Sequence, residues 1–331
     1  MRAKHSHLLL LFLLLTFTTQ AQVLRKRTVK LMGSRFDISI VAADKATAEK
    51  SIDEVVAEVT RIEHLISDWI PETQISEVNR MAGIAPVQVD AEVFALTERA
   101  LCLSKITKGG FDISFAAMDL IWKFDGSMEA MPSPEAVKKS VEKVGYKNII
   151  LDKKNSTIFL KKKGMKIGFG ALGEGYATDR CRDLMLAKGI KAGIVNGSGD
   201  MTTWGTQPDG TDWMIGITNP LDRDTLLAVV PLKEGAVVTS GSYEKFVEFN
   251  GKRYSHIINP ATGYPVTGLT SVTVFGPSAE IANGFSTSIM VLGQKKGLKL
   301  LKKYPNYRCL LITDKGEVIT SPNLDLSQFK L

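Results

Sequence analysis

The stretch from Ala236 to Gly293 limits what this chain can fold into more than any other. Within it, KFVEF and KRYSHI are alternating runs joined by Asn250-Gly251. Two residues that tolerate positive φ between period-two patterns predict a β-hairpin closed by a type I′ turn. Upstream, Thr239, Ser240 and Gly241 read as a tight turn after a short apolar strand. The return strand of the hairpin delivers His256 to its end, and Asn259-Pro260 with Gly263 form a stiff loop. A β-branched strand, Ser271 to Phe275, then runs into a helix that begins near Ser278. On that helix Asn283 and Thr287 are four residues apart and share a face. A histidine at a strand end and two oxygen-bearing side chains near a helix start are thus placed to converge on one small ligand.

The histidine count sharpens this. The chain has four, and His5 and His7 fall in an apparent leader. His64 lies on the polar flank of an amphipathic pattern and reads as a solvated surface residue. His256 is left in a ligand-like setting, although a hydrogen-bonded loop histidine fits the same pattern. Cys102, Cys181 and Cys309 are widely spaced, form no metal or disulfide framework, and read as small core residues. Net charge is +7 on 331 residues, with lysine clusters at 161–163, 295–296 and 302–303 that lack interleaved aromatics. Nucleic-acid binding is not expected, whereas weak attraction to an anionic lipid or an acidic partner is compatible with this charge.

Met1 to Ala21 reads as a secretory signal peptide: Arg2 and Lys4 precede an apolar run from Leu8 to Phe17, and Thr19-Gln20-Ala21 is a small-x-small site. The run is short for a spanning helix, so stable membrane insertion is not expected; an uncleaved N-terminal anchor is the alternative. The product is expected to be exported, and periplasmic in a Gram-negative cell. Residues 22–331 are read as one composite domain, since no linker or repeat divides them. A strand near Lys30 to Val41 is followed by a helix from about Asp44 to Ile66, with Ile52, Val55, Val56, Val59, Ile62 and Ile66 on one stripe. Further helices are expected over about Ala91 to Ile106, from Ser133-Pro134, and over about Gly173 to Ala187. Paired strands are expected at Asn148 to Asp152 and Thr157 to Lys161, and another strand at Ala192 to Asn196. Hairpins dominate the second half, so the fold class is α+β, with mixed or antiparallel sheets and flanking helices.

Glycines at 164, 168, 170, 173 and 175 suggest a nucleotide loop, but the spacing is neither G-x-G-x-x-G nor a P-loop. Two readings stay open: a backbone cradle for phosphate at a helix N-terminus, or a strand-to-helix connection that needs glycine conformations.

HIINPATGYP, TSG and ANGFSTSIMVLG resemble the C-terminal signature of the ApbE family, the FAD:protein FMN transferases. LMGSRFDISI, SDWIPETQISEVN, GGFDIS, GFGALGEGYATDR and VNGSGDMTTWG resemble its other elements in the right order, over roughly residues 28 to 320. The resemblance implies that FMN passes from FAD to a threonine hydroxyl of an acceptor protein, with AMP released and Mg2+ required. The implied acceptor is a flavin-carrying subunit of a membrane redox complex. Implied FAD contacts are Met32, Trp69, Phe111, Asp112, Glu174, Tyr176, Thr239, Ser240, Gly241, His256 and Ile257. Implied metal ligands are the Ala171 carbonyl, Asn283 and Thr287.

His256 suits the implied general base, because an imidazole titrates near about 6.5. Trp69 suits stacking on the flavin ring, and a helix-end core tryptophan is the competing reading. Met32, taken without the resemblance, passes as a core strand residue. The chain departs from the family pattern D-L-G-G-I-A-K-G-Y-A, with Gly168 for the acidic residue and Glu174 for the lysine. Asn283 and Asn259 stand where aspartates are usual. Over positions 168, 174 and 283 the formal charge is −1 in both patterns, so the negative charge has moved. Glu174 is expected either to complete the metal shell or to face its own helix N-terminus. The alternatives to transfer are FAD pyrophosphatase activity and flavin binding with little catalysis.

Overall fold

A turn breaks the first expected strand in two. Val23–Leu31 and Ser34–Ala42 pair antiparallel across Met32 and Gly33, whose φ angles are +50° and +73°. The charge-rich outer strand hides its alternation, so sequence reading runs straight through the turn. The computed structural model describes residues 22–329, apart from 119, 120, 125, 223, 244, 326 and 328; the expected leader lies outside them.

This hairpin opens an eight-stranded sheet. Ala192–Gly197, Asp200–Trp204, Gly235–Gly241, Leu269–Gly276, Arg308–Thr313 and Val318–Thr320 follow in that order, each antiparallel to its neighbour. Alternation along these strands turns one apolar set to each side, so both faces need a cover. Helices Lys45–Ile66, Gly173–Ala187 and Ala279–Leu292 cover one face. The hairpin Trp213–Thr218 and Leu226–Leu232 covers the other, where Trp213, Ile215 and Val230 meet Val237, Phe275 and Leu310. The result is the α+β class expected.

Local chemistry explains the helix ends. The Asp44 carboxylate accepts from the Thr47 amide at 2.8 Å. From there the stripe Ile52, Val55, Val59, Ile62 and Ile66 is fully buried, each side chain stabilising the fold by about 1.5–3 kcal/mol. His64 is exposed, as its position predicts. Ala91–Ile106 and Gly173–Ala187 keep their expected bounds, and Ser133 caps the helix Pro134–Ser140. Cys181 and Cys309 are buried, but Cys102 is exposed. It lies off the Val93–Leu96–Ala100–Leu103 stripe that faces the core.

Two segments frame the site. The hairpin Phe246–Phe249 and Lys252–Ser255 closes through Asn250 and Gly251, with φ of +52° and +72° as the turn type requires. Thr239, Ser240 and Gly241 do not form a turn. They complete the strand Gly235–Gly241 and pair with Thr273, Val272 and Ser271. Small residues made this triplet look like a turn, but in a buried strand they leave room beside the sheet.

Candidate active site

The ends of these elements enclose a cavity of about 1450 Å3. Pockets for compact ligands are usually about 300–1,000 Å3, so this one suits an elongated ligand. Its walls come from sequence-distant segments: residues 68–80, 110–118, 164–174, 239–241, 256–260 and the 283–291 helix face.

The floor is built where two helices cross. A β-carbon at Gly175 would lie 2.7 Å from the Ala279 carbonyl oxygen, so glycine allows the close approach. Asp179, one turn on, accepts from Ser278 Oγ at 2.7 Å and from the Ala279 and Glu280 amides at 3.0 Å each. A carboxylate from one helix thus caps the next and fixes the helix that carries Asn283 and Thr287. Thr287 Oγ1 donates to Asn283 Oδ1 at 3.2 Å, and Ser240 Oγ lies 2.7 Å from Ser286 Oγ and 3.4 Å from Thr287 Oγ1.

Asp200, on the strand beside this helix, takes a hydrogen bond from Asn283 Nδ2. Burial pushes its carboxyl well above the ordinary range, and the nearby Glu174 charge adds to this, while bonds from Asn283 and the Gly175 amide oppose it. Burial also raises Glu174, against a bond from Ser34 and the charge of Lys245. Glu174 and Asp200 both border the cavity.

Ala171, Glu174, Asp200, Asn283 and Thr287 all border one part of the cavity. Among the described residues, no three His, Cys, Asp or Glu side chains gather as a metal-holding group. The donors are instead a mixed oxygen set with one buried carboxylate, Asp200, and one half-buried, Glu174, whose repulsion a divalent cation would relieve. Hard oxygen donors of this kind suit Mg2+.

The carboxylate missing at Gly168 reappears from elsewhere. A β-carbon at Gly168 would lie 2.9 Å from Asp68 Oδ2, so the Asp68 carboxylate fills that space. Asn79 fixes this approach, with its amide clamped to the Ile167 carbonyl at 2.9 Å and the Ile167 amide at 2.7 Å. Burial raises the Asp68 carboxyl, while Lys166 draws it back down. Arg80, ion-paired with Glu77, and Lys143 and Lys166 also line the cavity.

His256 follows the hairpin's return strand. Its Nδ1 lies 3.1 Å from the Lys245 carbonyl, which accepts only, so Nδ1 carries a proton and the neutral ring presents its lone pair at Nε2. Trp69 stands at the rim, 80% exposed, on a turn where Ser67 Oγ accepts from the Trp69 and Ile70 amides. An apolar ring of this size exposed at a cavity mouth points to a planar ligand.

Of the residues singled out in the sequence, Trp69, Phe111, Asp112, Ala171, Glu174, Thr239, Ser240, Gly241, His256, Ile257, Asn283 and Thr287 border the cavity. Asp112 is held by the Ser114 amide and hydroxyl and by the Tyr146 amide, so its carboxylate shapes the wall. Met32 and Tyr176 are not among the residues that border the cavity. Met32 packs on the core, with its amide bonded to Glu63, and leaves the neighbouring Gly33 and Ser34 to border the cavity. Tyr176 turns inward and donates to Glu92 at 2.6 Å beneath Arg99. Sequence reasoning missed Asp200, Asp68 and the three basic residues. For Asp200 the signal is a lone carboxylate opening the strand DMTTW, whose Thr202 and Thr203 are also buried.

Fold and cavity together define an α+β protein whose large cavity runs between a cluster of oxygen-bearing side chains and an exposed tryptophan at its rim. The sequence profile of the ApbE family matches residues 32–311. A FAD:protein FMN transferase of Klebsiella pneumoniae (strain 342) is 30% identical over 295 residues, covering 86% of this chain and 84% of that protein. A FAD:protein FMN transferase of Treponema pallidum (strain Nichols) is 30% identical over 282 residues, covering 81% and 78%. The ApbE protein of Thermotoga maritima MSB8 superposes with a TM-score of 0.84 at 28% identity, over 92% of this chain and 99% of that one. The chain belongs to the ApbE family.

Proposed function

We propose that the chain is a FAD:protein FMN transferase, acting on a threonine hydroxyl of an acceptor protein with release of AMP. The observation that carries this reading is the meeting of His256, the Asn283–Thr287–Asp200 cluster and Trp69 on one cavity. Trp69 stacks on the isoalloxazine ring and orients the flavin end. Arg80, Lys143 and Lys166 face the anionic, adenylate side of the ligand. Ala171, Asn283 and Thr287 hold Mg2+, with Asp200 and Glu174 supplying the negative charge that Asn283 lacks. The ion, when bound, neutralises phosphate oxygens.

In the reaction, the threonine oxygen attacks the phosphorus that carries riboflavin. A new P–O bond forms, and the bond to the bridging oxygen breaks, with its electron pair leaving on AMP. The hydroxyl proton passes to His256 Nε2, whose orientation the Lys245 carbonyl fixes. Export to the periplasm fits residues 1–21, and a flavin-carrying subunit of a membrane redox complex is the acceptor in view. Among the described residues, no helix is long and apolar enough to cross a membrane.

Incubation with FAD, magnesium and a threonine-bearing acceptor domain tests the reading. The acceptor is expected to become fluorescent in a denaturing gel, with one AMP per flavin bound. AMP without labelled protein would instead indicate a pyrophosphatase, and FAD bound but unchanged a flavin carrier.

A further inference from the structure

Charge is spread unevenly along this chain. Residues 138–166 hold ten lysines and two carboxylates, Glu142 and Asp152, a net charge of +8 where the whole chain carries +7. All other residues together net −1, so the excess positive charge of the chain lies in this stretch. Nine of the ten are exposed, and Lys143 is half-buried.

The fold gathers part of this charge beside the cavity. Lys162 Nζ donates to the Glu142 carbonyl at 2.9 Å. A β-carbon at Gly164 would lie 3.3 Å from Lys143 Cε. The chain leaving the helix Pro134–Ser140 and the loop after the strand Thr157–Leu160 are thus one surface. That loop carries Lys161, Lys162 and Lys163 outward and Lys166 inward, where Lys166 and Lys143 border the cavity. The basic surface begins at the cavity wall and continues onto the exterior. Among the described residues, the side chains of Lys161, Lys162 and Lys163 enter none of the ion pairs. Neighbouring like charges repel one another, and an acidic partner would relieve that repulsion and gain in encounter rate.

We infer that this lysine surface docks an acidic segment of the acceptor protein and so presents its threonine to the cavity. Naming the occupant an acceptor rests on the transferase reading, whereas the preference for acidic chains is measured without it. An acidic protein segment is favoured over a membrane because the charge runs into the wall of the reaction cavity, where an acceptor side chain must enter.

The test uses rhodamine-labelled peptides with a central threonine, flanked either by Asp and Glu or by Asn and Gln. Binding to the full chain with FAD and magnesium is read by fluorescence anisotropy. The acidic peptide is expected to bind about tenfold more tightly. That advantage is expected to fall several-fold in Lys161→Glu/Lys163→Glu, by about half as much in Lys161→Gln/Lys163→Gln, and steeply at about 0.5 M salt. FAD affinity is expected to stay at the parental value in both variants. Equal binding of the two peptides, or an advantage unchanged by charge reversal, would overturn the inference. So would loss of binding to phosphatidylglycerol vesicles with peptide binding intact, which assigns the surface to a membrane. Acid-selective binding without flavin labelling leaves the docking surface standing and refutes the transferase reading alone.

Discussion

In the proposed reaction, Trp69 and His256 divide binding from chemistry at the level of single side chains. Trp69 is 80% exposed, so Trp69→Ala is expected to leave stability unchanged. Loss of stacking worth about 1–3 kcal/mol should weaken FAD about tenfold or more in isothermal titration; parental affinity would take Trp69 out of the site. His256→Ala is expected to bind FAD normally and to transfer FMN about 10²–10⁴-fold more slowly in single-turnover labelling. Transfer at the parental rate would show that the hydroxyl loses its proton by another route. Asp200→Asn keeps an acceptor for Asn283 Nδ2 but removes the charge. It should weaken magnesium at least about tenfold in titrations of the FAD-loaded protein, and unchanged affinity would remove Asp200 from the cation shell. Trp69, His256, Asn283 and Thr287 were legible because each stands in a local pattern that the family resemblance also marks. Asp68 and Asp200 were not, because what makes them site residues is contact with Gly168 and Asn283, about 100 and 83 positions away. Met32 and Tyr176 neighbour cavity residues in sequence, yet Met32 packs half-buried against the core and Tyr176 is buried.

Elements hold these side chains in place through contacts that local pattern does not reveal. The helix Ala279–Leu292 depends on Asp179, a carboxylate from another helix, at its N-terminus. Asp179→Ala leaves the Ala279 and Glu280 amides without that acceptor and is expected to cost about 2–4 kcal/mol in urea unfolding. Because Asn283 and Thr287 ride on the same helix, magnesium binding should weaken as well. A loss below about 0.5 kcal/mol would show that Ser278 alone caps the helix. The hairpin at Asn250-Gly251 and most helix bounds followed from turn chemistry and apolar periodicity. The first strand and the Thr239–Gly241 segment did not, since one hides a turn in a charged run and the other hides a strand in small residues.

At the scale of the whole molecule, the cavity joins both halves of the chain, with its rim from residues 68–80 and its floor from residues 171–200 and 283–287. Binding across such a joint stabilises the whole domain, so FAD at about 100 times its Kd should add about 2.7 kcal/mol to unfolding in one cooperative transition. A second, FAD-insensitive transition would divide the chain into separate folding units. The central claim is that this cavity transfers FMN to a threonine. Intact-mass measurement of an acceptor incubated with FAD and magnesium addresses it most directly. The acceptor is expected to gain one FMN less one water, on threonine, with no gain when that threonine is alanine or when magnesium is chelated. An acceptor of unchanged mass in a reaction that consumes FAD, or a gain that survives the threonine substitution, would contradict the account.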